Sequence, residues 1–216
     1  MVLKVFGSWQ STCTGRVLAV AEELGLQYEL VQVNLAAGEH KQPPHIERNP
    51  FGQVPALQDG DLVLFESRVI TRYLARKYGK DSQLLKEGTP EEAAAVDQWI
   101  EVEGQHFNPP ISTIVAQVLF VPLFFGGTTD EKVVAAEVEK LAKVLDVYEQ
   151  KLSKTKYLAG DYCTLADLHH VPYVHYLIAT TPYGSLVETR PHVKAWWHAV
   201  SSRPAIKKVL GNMKFS

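Results

Sequence analysis

Residues 49–68 read NPFGQVPALQDGDLVLFESR, and the order of signals within them constrains the fold more than any other stretch. Asn49-Pro50-Phe51-Gly52-Gln53-Val54-Pro55 ends on a Val-Pro bond just before Ala56, Leu57 and Gln58, where a cis proline could hold a tight turn. Such a turn leaves the Val54 amide and carbonyl pointing outward, so an extended peptide could add to them as a further strand. Ala56 to Gln58, the turn signal Asp59-Gly60 and Leu62 to Phe65 predict a β-hairpin. Glu66-Ser67-Arg68 then leads into helical spacing at Ile70, Tyr73, Leu74 and Lys77. Amides at that helix start would welcome a carboxylate. Glu66 beside them could accept from an ammonium group, so the pair would read the zwitterionic end of an amino acid. Taken singly, the two stretches are equally consistent with a plain turn and a Ser-capped helix start.

Upstream, Leu3, Val5 and Phe6 suggest a strand, and Val17, Val20, Ala21 and Leu24 recur at helical spacing before Gly25, where a left-handed cap is wanted. Tyr28 to Val33 is the next strand, parallel to the first if the helix crosses over the sheet. A βαβ unit, a connecting region and then ββα give the thioredoxin-like order over residues 1–78. Residues 79–90 are polar and close on Gly88, Thr89 and Pro90, which marks a linker. From Glu91 the periods are helical, most clearly in the stripe Val134, Val138, Leu141, Leu145, Tyr148 and Leu152, so residues 91–216 are expected to form an all-α bundle. Phe107 to Pro110 and Val121-Pro122 should break or bend the long segment that starts near Ala93, and Gly126-Gly127 should end it. Thr164 to Asp167 fits a capping box with Asp in place of Glu.

Composition adds mostly exclusions. The chain has 216 residues, a net charge of -2 and interspersed charges, which advertise no surface for nucleic acid or anionic lipid. Cys13 and Cys163 are far apart and form neither a disulfide framework nor a metal knuckle, which points to a reducing compartment. No export or import signal is read at the N-terminus, and no window approaches the roughly 20 apolar residues of a membrane span. A soluble, cytosolic protein without membrane or nucleic-acid partners is expected. His169, His170 and His175 lack the i, i+4 pairing of ligands on a metal-binding helix, so no metal is expected. Trp196 and Trp197, with Val193 and Val200, read as a packed helix face rather than a stacking platform.

Several stretches together carry a family likeness: Asn49 to Pro55, Glu66-Ser67-Arg68, Glu39-His40-Lys41, VLDVYEQKLSK at 144–154, YLAGD at 157–161 and PHVKAWW at 191–197. With them the chain resembles the soluble glutathione transferases, and among these the serine-type phi class of plants. The resemblance implies a thioredoxin-like domain followed by an all-α domain, and a homodimer in which Phe51 inserts into the partner. It also implies glutathione as co-substrate, no cofactor, and a role in detoxification and stress response. By the same resemblance Ser11 is the catalytic residue; His40 and Lys41 reach the glycine carboxylate, Gln53 and Val54 the middle of the tripeptide, and Glu66 and Ser67 its γ-glutamyl end. Without it, Ser11 or Thr12 reads as a simple helix cap and His40-Lys41 as a solvated loop. Two places depart from the class pattern: Leu168-His169-His170, and Ser8-Trp9-Gln10 ahead of Ser11.

The chemistry asked of such a site is ionisation of a thiol, since an ordinary thiol titrates near 8.5 and only the thiolate attacks. Lowering that value by about two units takes roughly 2.7 kcal/mol, within reach of a hydroxyl donor combined with a helix N-terminus. Ser11 precedes the first helix and should donate to the sulfur with no covalent intermediate. An apolar electrophile should enter between the domains against Trp9, Gln10, Phe107, Ile111, Val115 and Phe120, and organic hydroperoxides are a further substrate class. Two alternatives compete. Cys13 could make the protein a thiol transferase or dehydroascorbate reductase, although two residues of helix turn it about 200° from Ser11. A non-catalytic carrier of apolar ligands is the other.

Overall fold

β1 (Leu3–Gly7), α1 (Thr12–Glu23) and β2 (Tyr28–Gln32) form the expected βαβ unit, with β1 and β2 parallel and Leu3 opposite Tyr28. The structure is a computed structural model and describes residues 2–214; the outermost ends of the two expected domains, Met1, Phe215 and Ser216, lie outside the described residues. α1 forms because Ser11 caps its first turn, while Gly25 at φ +65° lets Leu26 N–H bond back to the Ala21 carbonyl. Its Val17, Leu18 and Val20 are fully buried.

A 3₁₀ turn at Glu39–Lys41 and the four-residue α2 (His45–Arg48) lead to β3 (Ala56–Asp59) and β4 (Leu62–Phe65). These two strands make the predicted hairpin, with Gly60 at φ +62° in its turn. β3 lies antiparallel to β1, so the sheet order is β2-β1-β3-β4. α3 (Ser67–Tyr78) packs against α1, with Ile70 and Leu74 completely buried. Asp59 ties the hairpin to α3: its Oδ2 accepts from Tyr73, Lys77 and Tyr78, each at 2.6 Å.

The second unit spans Lys86–Ser202. Its helices are α4 (Pro90–Val102), α5 (Asn108–Val115), α6 (Val121–Phe125), α7 (Glu131–Leu152), α8 (Leu165–Leu168), α9 (Val171–Thr180), α10 (Ser185–Glu188) and α11 (Pro191–Ser201). The prolines do not break the first of these. Helical bonding runs from Pro90 to Phe125, because the turn before each proline widens to a π register: Asn108 N–H reaches the Glu103 carbonyl, and Val121 N–H that of Ala116. Gly126 in the left-handed conformation ends the run, as expected.

Continuity through the prolines also corrects the membrane expectation. This 36-residue run contains an 18-residue window of mean hydropathy 1.4, long and apolar enough by composition to cross a bilayer. Its buried Ile111, Ile114 and Val115 belong to α5, which packs against α7 and α9 and so serves the core of the bundle, whereas Val121–Phe125 holds no buried residue. The α7 stripe is interior at Val134, Leu141, Leu145, Tyr148 and Leu152, with Val138 half-buried.

The expected boundary fails at the other end of the chain. α12 (Pro204–Asn212) belongs to the first unit, where it packs on α1. Arg203 pairs with Glu23 and Lys208 with Glu22, so cations at the start of α12 meet the acidic end of α1. The helical unit is therefore shorter than 91–216.

Candidate functional site

Ser11, half-buried, holds α1 by accepting from Thr14 N–H at 3.2 Å. That bond occupies an oxygen lone pair and leaves the hydroxyl hydrogen available to an acceptor beyond the helix end, where the dipole favours negative charge. Thus the cap reading of Ser11 holds, and it does not compete with donation to a sulfur. The preceding turn is pinned by Ser8: its carbonyl accepts from Ser11 N–H at 3.0 Å, and its buried hydroxyl donates to the Gln10 carboxamide.

The second cluster is the turn at Val54. The Val54-Pro55 peptide is cis, and Val54 N–H and C=O take no backbone partner among the described residues. Behind it the loop is fixed by two donors on one carbonyl, since His45 Nε2 and Asn49 Nδ2 each lie 2.8 Å from the Gln53 oxygen. Lys41 Nζ donates to the Phe51 carbonyl at 3.1 Å. Gly52 makes this approach feasible: it sits at φ +57°, and a Cβ there would lie 2.8 Å from the His40 carbonyl oxygen and from Lys41 Cδ. Burial, then the neighbouring Lys41 and His45, hold the His40 imidazole below its ordinary value.

Glu66 and Ser67 form the third cluster, and here the bland reading fails. The α3 cap position is occupied by Glu66, at φ 70° and without a side-chain cap bond, and the first turn of α3 holds no acidic residue. Positive φ in a glutamate is strained, and such outliers concentrate where function holds them. Ser67 does not cap the helix. Its buried hydroxyl accepts from Arg16 Nη1 at 2.9 Å, which leaves its hydrogen to donate elsewhere.

Sequence reasoning missed Arg16, His45 and Asn49, all of them buried. A basic residue directly before the apolar run of α1 was the available signal for Arg16. Asn49 stands in the motif with no signal for its role, and nothing in the sequence marks His45. The same Arg16 nitrogen lies 3.6 Å from Cys13 Sγ, so Cys13 sits on the Ser67 side of α1's first turn.

Ser11, His40, Lys41, Gln53, Val54, Glu66 and Ser67 all lie in the first unit. The expected electrophile contacts divide. Trp9, Gln10 and Phe120 keep partial exposure, whereas Phe107, Ile111 and Val115 are at most 1% exposed. The Phe107 ring lies stacked on Tyr148 and tilted against His170, so these three are core residues of the helical unit and offer a ligand no surface. His170 uses both ring nitrogens internally, one toward Tyr148 OH at 2.9 Å and one toward the Ala166 carbonyl at 2.7 Å, which accounts for it without a metal.

Residues 1–76 match the family model for the glutathione S-transferase N-terminal domain, and residues 108–204 that for its C-terminal domain. Glutathione S-transferase 1 of Zea mays is 53% identical over 212 residues, covering 98% of this chain and 97% of that protein. The probable glutathione S-transferase GSTF1 of Oryza sativa subsp. japonica is 51% identical over 212 residues, with 98% and 96% covered. This chain belongs to the glutathione S-transferase family, in its plant phi class. Solved structures agree: the crystal structure of glutathione transferase F7 from Populus trichocarpa superposes with a TM-score of 0.95 at 54% identity, covering 99% of this chain and 100% of that one. The maize glutathione S-transferase I in complex with an atrazine glutathione conjugate gives 0.93 at 53%, with both chains fully covered. Membership makes the protein a glutathione transferase acting on electrophiles, with glutathione as co-substrate.

Proposed function

We propose that this transferase ionises glutathione through Ser11 and delivers the sulfur to hydrophobic electrophiles. The observation that carries the reading is the Ser11 hydroxyl, engaged as an acceptor by Thr14 N–H yet keeping its hydrogen at the positive end of α1. The peptide part lies along the turn: Val54 pairs with the cysteinyl backbone, Gln53 flanks it, and His40 and Lys41 meet the glycine carboxylate. The γ-glutamyl carboxylate docks on the α3 amides and the Ser67 hydroxyl, and its ammonium on Glu66. Trp9 and Gln10, just ahead of Ser11 in the same unit, touch the electrophile. Organic hydroperoxides are a second substrate class for the same thiolate. Two free cysteines fit a cytosolic setting.

A homodimer is part of the reading. Phe51 is 64% exposed with its ring edge-on to Phe65 at 6.0 Å, so it is not an internal packing residue, and Val69, Leu62 and Val63 add apolar surface to the same unit.

Conjugation of an aryl halide by the native protein and Ser11→Ala tests the mechanism, with the pH dependence of thiolate absorbance as second readout. Loss of about two units of thiol acidity should lower turnover at neutral pH on the order of a hundredfold. Equal turnover would remove Ser11 from the chemistry.

A further inference from the structure

His45 lies behind the Val54 turn, where it is 3% exposed and its imidazole is directed at the site's backbone. Its Nε2 lies 2.8 Å from the Gln53 carbonyl, while its Nδ1 is buried with no partner. A carbonyl can only accept, so Nε2 carries the hydrogen; Nδ1 is then a bare lone pair, which avoids an orphaned buried N–H. Asn49 Nδ2 approaches the same oxygen at 2.8 Å, and Asn49 N–H bonds to the His45 carbonyl at 2.9 Å. Both lone pairs of the Gln53 carbonyl are therefore occupied, by two side chains joined to each other through the backbone.

The consequence falls on the other side of that peptide plane. Gln53 C=O and Val54 N–H are one rigid planar unit, so fixing the carbonyl from two directions fixes where the amide hydrogen points. Two donors on the oxygen also polarise the amide and strengthen its N–H as a donor. We infer that His45 is a positioning residue for glutathione: with Asn49 it aims and polarises the Val54 amide that receives the tripeptide backbone. The inference rests on the proposed placement of glutathione along Val54 and adds the residue that sets its affinity. His45 touches neither the thiol nor the electrophile, so it governs binding and leaves the chemical step alone.

The test uses the full-length protein with His45→Gln, His45→Asn and His45→Leu. Glutamine can present an N–H where Nε2 stood; asparagine is too short to do so, and leucine has no donor. Calorimetry with glutathione and with S-methylglutathione, which lacks a thiol, gives Kd, and aryl-halide conjugation gives kcat. Expected are Kd values raised roughly five- to tenfold in His45→Asn and His45→Leu for both ligands, the equivalent of one lost hydrogen bond. His45→Gln should stay within about threefold of the native protein, and kcat at saturating glutathione within about twofold throughout. If His45→Leu fails to fold, the Gln and Asn pair carries the comparison. Equal affinities in Gln and Asn variants would overturn the role of the donor, as would a fall in kcat with Kd unchanged. Native protein that takes up neither ligand would instead overturn the proposed glutathione site itself.

Discussion

Replacing Asp167 by alanine should destabilise the protein strongly while sparing its affinity for glutathione. The carboxylate is completely buried and accepts four hydrogen bonds: Leu158 N–H at 3.0 Å and Trp196 Nε1 at 2.8 Å on one oxygen, Thr164 N–H at 2.8 Å and Thr164 Oγ1 at 3.1 Å on the other. It thereby closes the capping box of α8, pins the Leu158 backbone and holds α11 through Trp196. Burial pushes its carboxyl up and the donated bonds pull it back, so removing it also relieves a desolvated charge. Against that relief stand three N–H donors on residues at most 2% exposed, which cannot turn to water. An orphaned buried donor costs about 1–3 kcal/mol, and with partial relief from water entering the space a net loss of about 3–4 kcal/mol is expected. Urea unfolding followed by tryptophan fluorescence would read this, since Trp196 is itself a partner; in heat the same loss is on the order of 10 °C. All proposed glutathione contacts lie in the other unit, so Kd for glutathione below the transition should stay within about twofold. A destabilisation under about 1 kcal/mol would show that the four bonds are not what holds α8 and α11, and the reasoning would fail.

Asp59 supplies a pH-dependent counterpart. Burial alone would raise its carboxyl, but hydrogen bonds from Lys77, Tyr73 and Tyr78 outweigh it and bring the value down from 3.8 to about 2. A depressed acid stabilises the fold above its ordinary value and loses that contribution as pH falls toward 2; the native protein should therefore exceed Asp59→Asn by about 2 kcal/mol at neutral pH, and the gap should close on acidification. A gap that persists at pH 2 would contradict the assignment. Gly52→Ala should weaken glutathione binding at least severalfold, because the new Cβ meets the His40 carbonyl at 2.8 Å in a backbone conformation alanine disfavours; unchanged affinity by calorimetry would show the loop to be pliant. Phe51→Asp is expected to shift sedimentation from dimer to monomer, and an unchanged profile would place the contact elsewhere.

Much of the fold was legible because the elements obey their own periods. Leu3, Val5 and Phe6 against Val17, Val20 and Ala21 distinguish strand from helix without help, and Gly25 and Asp59-Gly60 mark turns that need positive φ next to both elements. What was misread depended on partners distant in sequence. α12 looks like one more bundle helix until Arg203 and Lys208 find Glu23 and Glu22, some 180 residues earlier. The prolines at 109, 110 and 122 argue for a break or a bend when read locally, and the π turns ahead of them keep the helix continuous. Phe107, Ile111 and Val115 have the composition of a ligand pocket, but Tyr148 and His170 had to be placed beside Phe107 before it could be recognised as core.

The candidate site divides along the same line. Ser11 obeys the helix-cap rule, and a local reading that stops there loses the proposed catalytic role, because one hydroxyl can accept from Thr14 N–H and donate elsewhere at once. Ser67 has the residue type of a cap and disobeys the rule: Arg16 takes its oxygen, and the cap position falls to Glu66 at φ 70°. Strain at Glu66 and crowding at Gly52 both border residues proposed to hold the tripeptide. Arg16, His45 and Asn49 are buried polar side chains contributed by α1, α2 and the residue just after α2, each reaching a group at the site or directly behind it. A motif can therefore mark where a peptide is gripped, but the rigidity of the grip comes from side chains whose role appears only when the donors on each backbone carbonyl and hydroxyl are counted.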